Sequence, residues 1–182
     1  MNGDKLALAA VAALAVLSRA RGSKALVDEG WVDGHWGSQG VGVLLTTGTH
    51  VLLMLRSPYV ADPGVWGVPG GAVRVDSSTG EAEELLQAAA KELEEEAGLR
   101  LRASYLRERL RDVTVYRSGR FRFTTFVVRV PSSMMRRKLT INWESTEAAW
   151  VSEDDLGHLD LHPGVEYTLD TIEMENRDAI WS

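Results

Sequence analysis

The chain has 182 residues and no cysteine, which excludes disulfide staples, thiolate zinc sites and cysteine nucleophiles together. That suits a reducing compartment, and a cytoplasmic protein is expected. Long hydrophobic runs are also missing. The longest, residues 6–17 (LALAAVAALAVL), holds twelve apolar residues, against the roughly 20 that span a bilayer, so no stable membrane insertion is expected. There is no surplus of positive charge: 20 Lys+Arg face 26 Asp+Glu, a formal net charge of -6. Duplex nucleic acid is bound by neutralising its phosphates with cations, so it is not an expected partner. Phosphates that arrive with metal ions remain within reach, because clustered carboxylates hold such cations. No internal repeat and no low-complexity linker interrupts the chain.

What is present is ordinary for a soluble globular domain: 45% hydrophobic and 25% charged residues. The length suits about one domain and buries a sizeable core without staples. The apolar run near the start has the size of a secretory signal's core. Asp4 and Lys5 before it, and Arg19 and Arg21 after it, favour instead an Ala- and Leu-rich helix. A helix apolar on most sides needs a partner surface. We therefore expect residues 1–22 to form an N-terminal helix that packs on the main domain, residues 23–182, or on a second copy, a homodimer contact.

Apolar runs at residues 42–45 and 51–55, separated by Thr46-Thr47-Gly48-Thr49, predict a β-hairpin. Pro58, Pro63 and Gly64 mark a loop, and residues 66–71 (WGVPGG) a tight Gly-rich element before a short strand at 72–75. Ser78 with Glu81 three residues later fits a capping box. Leu85, Leu86, Ala89, Leu93 and Ala97 then recur at helical spacing, and Gly98 stops the helix. Strands are expected over 101–116 and 121–130, then a basic loop with Arg136, Arg137 and Lys138, and a strand at 148–151. Pro163 opens a last helix with Val165, Leu169 and Ile172 on its apolar side. The mixture predicts an α/β sandwich.

The chemistry concentrates on the central helix. Glu92, Glu95 and Glu96 stand at i, i+3 and i+4, so one side of the helix carries three carboxylates. Like charges there repel by a few tenths of a kcal/mol per pair, and a bound divalent cation turns repulsion into attraction. Oxygen-only ligands favour Mg²⁺ or Mn²⁺. The alternative is a plain solvated acidic face with no metal.

Order and spacing add weight. Residues 91–99 (KELEEEAGL) resemble the second half of the Nudix box, R-E-U-x-E-E-x-G-U with U aliphatic, the one mismatch being Lys91 for arginine. Counting back eight residues reaches Glu83, where the box has its earlier glutamate. Six further back stands Ser77 where the family has glycine, and the family's glycine pair looks like Gly70-Gly71, six residues earlier than usual. The resemblance covers roughly residues 40–174. It implies a Nudix-type α/β/α sandwich with a mixed sheet, to which the N-terminal helix is an addition. It also implies a MutT-like hydrolase of nucleoside diphosphates linked to another group, with a small nucleotide as partner.

On that likeness Glu92, Glu95 and Glu96 ligate Mg²⁺ or Mn²⁺, and a carboxylate takes a proton from water. That carboxylate comes from the trio, Glu92 or Glu95, or from Glu144 or Glu147, six and three residues before Trp150. Arg56, Gly70, Gly71 and Lys91 are expected to contact the phosphates or brace the loop around them. Lysine at 91 supplies charge without arginine's planar fork, and its acidic partner is Glu83 or Glu81. Tyr59, Trp66, Phe121, Phe123 and Trp143 offer rings for a base. His35, His50, His158 and His162 lack metal-ligand spacing and read as structural or exposed. The rival function is a non-catalytic Nudix domain that binds a nucleotide as a sensor or partner module.

Overall fold

In a computed structural model of the chain, the residues described are 39–73 and 84–182. The apolar segment at 6–17, the boundary at residue 23, the Ser78–Glu81 capping pair, Ser77 and Glu83 lie outside them.

The elements are β1 (Gln39–Thr46), β2 (His50–Arg56), β3 (Trp66–Gly67), β4 (Gly70–Ala72), α1 (Leu85–Ala97), α2 (Ala103–Glu108), β5 (Leu110–Ser118), β6 (Phe121–Arg129), β7 (Ser145–Ser152), α3 (Glu153–Leu156) and α4 (Pro163–Glu175). They build one mixed sheet. β1 runs parallel to β6, and β6 pairs antiparallel with β5. β2 pairs antiparallel with β7.

The sheet is buried on both faces, so its central strands read as continuous apolar runs. Val41, Val43 and Leu45 of β1, Leu52 and Met54 of β2, and Phe126 and Val128 of β6 pack with α1 and α2. The intervening Leu44, Val51, Leu53 and Val127 pack with Val165 and Ile172 of α4. Two helical layers sandwich the sheet, the expected α/β/α arrangement. On the α4 side the Thr114 and Thr168 hydroxyls meet at 2.9 Å in a buried contact, and Tyr116 meets Tyr167 edge to face at 5.5 Å.

One irregularity positions everything that follows. β1 and β2 share only the register pair Thr46–Val51 beside their turn and then diverge. The wedge between them is filled by β4 against Gly40–Gly42 of β1 and by β3 against Met54 and Leu55 of β2. The Gly-rich element therefore sits in a split in the sheet.

Two expectations need correction. The central helix starts at Leu85, later than a cap at Ser78 places it, because Glu84 has an extended backbone with φ -60 and ψ 126. The stretch from Leu101 to Tyr116 is not one strand. Residues 103–108 (ASYLRE) are rich in good helix formers and bury Leu106 in a short helix, and strand pairing begins at Leu110.

Candidate active site

Leu86, Ala88, Ala89, Leu93 and Ala97 are the buried stripe of α1, fixing which side of the helix faces away from the core. Its end is equally fixed. Gly98 takes the left-handed conformation, φ 68, and the Leu99 N–H reaches back to the Leu93 carbonyl at 3.3 Å. The Thr140 N–H donates to the Ala97 carbonyl at 3.1 Å, which ties the loop before β7 to the helix end. That loop brings Glu144 to Glu96.

Glu96 is an acid in the wrong place for a charge. It is 6% exposed. The Gly70 N–H donates to its Oε2 at 3.2 Å, yet burial and a hydrogen bond to Glu144, with the nearby charges of Glu144 and Glu92, push its pKa up to about 9. Glu96 therefore holds a proton at neutral pH. Glu144 is kept in place by its own loop: its N–H donates to Asn142 Oδ1 at 2.9 Å, and its carbonyl accepts from the Ser57 N–H at 2.8 Å.

Glu92, one turn earlier, lies against Gly71. A Cβ added at Gly71 would stand 2.6 Å from Glu92 Oε1, and one at Gly70 would stand 2.5 Å from the Val41 carbonyl oxygen. The glycine pair thus lets α1 and its carboxylates approach the split in the sheet. Arg56, the last residue of β2, closes the cleft from the other side. Its Nε donates to the Ala61 and Asp62 carbonyls at 2.8 and 3.2 Å. Its pKa is lowered by burial, against the opposing pull of Asp62, Glu96 and Glu144. Arg56, Gly70, Glu96 and Glu144 line one cleft together with Val68 and Ser145.

Other expected residues lie elsewhere. Glu95 is exposed, and so is Glu147, which sits opposite Leu55 in β7. Lys91 lines a separate surface groove with Glu94, Arg100 and Arg102, where Glu94 pairs with Arg100 at 2.6 Å. Among the described residues, no three His, Asp or Glu side chains already converge as a metal cage. The donor set nevertheless suits a hard cation. Glu96 and Glu144 are acids pressed together on oxygen ligands alone, and a divalent ion taking the place of their shared proton would satisfy both.

A second cavity opens beside the cleft. Tyr116, Phe121 and Phe123 of the β5–β6 hairpin face Val68 and the start of α4, with Arg56, Asp62, Ser118 and His162 as its polar lining. Phe123 lies over β1, close enough that a Cβ at Gly40 would stand 2.7 Å from its ring. Arg56, Gly67, Val68 and Gly70 line both cavities, so an apolar slot and an acidic cleft adjoin with one guanidinium in their shared wall. Of the other rings, Trp66 is half-buried and packs with the α4-side core. Tyr59 and Trp143 are exposed on the two loops joined by the Ser57–Glu144 hydrogen bond. Arg136, Arg137 and Lys138 are exposed. Asp62 and His162 were not read from the sequence as lining residues. His162 was read only as a structural or exposed histidine, and nothing local marks Asp62.

Comparison with known proteins identifies the family. The NUDIX domain model matches residues 38–171. A nucleoside triphosphate pyrophosphatase/Nudix hydrolase fusion protein of Bifidobacterium longum is 33% identical over 144 residues, 70% of this chain and 27% of that protein. A Mycobacterium tuberculosis (strain H37Rv) protein, named as a candidate 8-oxo-dGTP diphosphatase, is 34% identical over 151 residues, 75% of this chain and 64% of its own. The match thus spans about a quarter of one relative and under two thirds of the other. Among solved structures, a Nudix hydrolase from M. smegmatis, RenU, superposes with a TM-score of 0.55 at 27% identity, covering 78% of this chain and 93% of that one. With three carboxylates on the helix after a glycine pair, a split mixed sheet between two helical layers, and a family model matching most of its length, this chain belongs to the Nudix family.

Proposed function

We propose that the protein hydrolyses the pyrophosphate bond of a nucleoside diphosphate linked to another group, with a nucleoside triphosphate as the leading substrate. The observation that carries this reading is that the aromatic cavity and the acidic cleft adjoin, sharing Arg56 and Gly70 in their linings. One substrate with a flat base, a sugar and a diphosphate fills both.

The roles follow from position. Phe121 and Phe123 offer ring faces on which a base stacks. Arg56 already stands between base and cleft, where its guanidinium offsets phosphate charge. Gly70 and Gly71 let the Glu92 carboxylate and β1 pack closely beside the cleft, and the Gly70 N–H braces Glu96 there. Glu92, Glu95 and Glu96 are the residues we assign to holding Mg²⁺ or Mn²⁺. Such an ion supplies neutralisation of the developing charge and a more acidic water. Glu144 lines the cleft and Glu147 is exposed, so Glu144 is our choice for the group that takes the water's proton. Water adds to one phosphorus, the bridging P–O bond breaks, and two phosphate-bearing fragments leave. Lys91 supports the helix rather than the phosphates in this scheme. A cytoplasmic location and a homodimer contact through residues 1–22 belong to the same reading, the latter checked by light scattering of the intact chain.

One observation favours a binding module instead: three acids do not yet converge among the described residues. A nucleotide panel with Mg²⁺, with products identified by mass spectrometry, separates the two. Hydrolysis that releases two phosphate-bearing products, lost in Glu95→Gln, supports the enzyme. Tight nucleotide binding with no turnover under Mg²⁺ or Mn²⁺ supports the module.

A further inference from the structure

Arg56 is held by carbonyl oxygens. Its Nε donates to the Ala61 and Asp62 carbonyls at 2.8 and 3.2 Å, and its Nη2 donates to Ala61 as well. Carbonyls fix the direction of a guanidinium without cancelling its charge. Among the described residues Arg56 enters no ion pair. It is thus aimed and still cationic, in the wall that the aromatic cavity shares with the acidic cleft. What aims it is the tip of its own loop, Ala61 and Asp62.

Backbone closes the base of that loop. The Arg56 N–H donates to the Val65 carbonyl and the Gly64 N–H to the Arg56 carbonyl, both at 3.0 Å. The tip is fastened from outside. Asp62 is the one non-glycine residue with positive φ among the described residues, at 49°, a backbone that aspartate and asparagine adopt more readily than most. His162 Nε2 stands 3.5 Å from Asp62 Oδ2. Its Nδ1 accepts the Gly164 N–H at 3.1 Å, so the neutral ring carries its proton on Nε2, the nitrogen facing Asp62. The hydrogen bond from His162 and the charge of Arg56 hold the Asp62 carboxyl below the ordinary carboxylate range, which keeps it an acceptor at neutral pH. His162 is itself seated on β3: its N–H donates to the Trp66 carbonyl and the Trp66 N–H to the Asp160 carbonyl, both at 2.8 Å. Contacts therefore run without a break from the start of α4 through His162 and Asp62 to Arg56.

We propose that Asp62 and His162 are positioning residues: their contact locks the loop tip so that its carbonyls point the Arg56 guanidinium at the diphosphate of the bound nucleotide. A long side chain fixed before the substrate arrives lowers the cost of binding it. Neither residue is assigned a contact with the reacting atoms. The inference rests on the nucleotide-hydrolase reading of the cleft.

The test is a double-mutant cycle on the full chain. It reads kcat/KM for the four common deoxynucleoside triphosphates with Mg²⁺, calorimetric Kd for the matching diphosphates, and Tm. His162→Asn keeps a capping acceptor for the Gly164 N–H, so its Tm should stay near wild type, but it no longer reaches Asp62. Asp62→Gly keeps the positive φ and loses the carboxylate. Each is expected to lower kcat/KM by about 10- to 100-fold on all four substrates, the range for a misplaced group, and to weaken diphosphate binding. Asp62→Asn still accepts from Nε2–H and tolerates the same φ, so it should restore most of the loss. In an Arg56→Ala background the same two substitutions should change little, within about twofold, because they act through Arg56. Wild-type kinetics in both single variants, or equal losses with and without Arg56, overturns the proposal and leaves the hydrolase reading standing. Nucleotide binding without turnover overturns the hydrolase reading, and the cycle on Kd then decides this one by the same criterion. Neither binding nor turnover overturns both.

Discussion

Two 13-residue helices, α1 and α4, flank the sheet and meet the site with opposite ends. α4 arrives N-terminus first and follows the usual rules: His162 caps it, Pro163 fills its first turn and Glu166 adds an acid there. α1 arrives C-terminus first and breaks them. Four of its last six residues are glutamates, and no basic residue sits in its last turn, where the helix dipole disfavours negative charge. The site end of α4 is satisfied by the protein alone, whereas the site end of α1 is left electrostatically incomplete. In our proposal a cation completes it. The contrast teaches where stability was given up for chemistry.

The largest effect should come from Glu96→Gln. We expect turnover to fall on the order of 10²–10⁴-fold, the range for losing a positioned acid–base or metal-coupled group. The same variant should melt higher than wild type in metal-free buffer at pH 8. Glu96 is an acid whose folded pKa, about 9, lies above its ordinary 4.5. The folded state thus keeps a proton that the unfolded chain releases. Wild-type stability therefore falls as pH rises between those values, and the neutral amide removes that slope. Melting curves across pH check it.

Next in size is Gly71→Ala. Its methyl would stand 2.6 Å from Glu92 Oε1, so the Glu92 carboxylate must swing aside. We expect turnover to fall about 10- to 100-fold as that carboxylate is misplaced, while denaturant melts move by less than about 1 kcal/mol because a flexible side chain yields cheaply. On the other helix, His162→Ala removes a cap and should cost about 1 kcal/mol. Smallest is Glu147→Gln, which should leave kcat/KM within about twofold because the side chain is exposed and does not line the cleft. Equal losses in Glu147→Gln and Glu144→Gln would break the assignment of the later carboxylate.

Much of the acidic half was legible in the sequence. Helical spacing placed Glu92, Glu95 and Glu96 on one side, Gly98 marked the stop, and Gly70-Gly71 stood out as the glycine pair of the Nudix box. Position before Trp150 proposed Glu144 and Glu147 together. Only the loop's hydrogen bonds to Asn142 and Ser57 put Glu144 beside Glu96. The base side was less legible. Asp62 and His162 meet because β3 and the start of α4 pair across the split, through Trp66 with Asp160 and His162, a long-range contact with no local signature. Alternating apolar residues hid α2, since a six-residue helix burying Leu106 alone looks much like a strand.

The central claim, that the acidic end of α1 with Glu144 is completed by a divalent cation, is tested most directly by melting the protein at pH 7.5 against rising Mn²⁺. Binding at about 100 times Kd adds about 2.7 kcal/mol to the folded state, so wild-type Tm should climb with Mn²⁺ and then level, while Glu96→Gln stays flat. A wild type indifferent to Mn²⁺, or a Glu96→Gln variant that rises equally, would contradict the account.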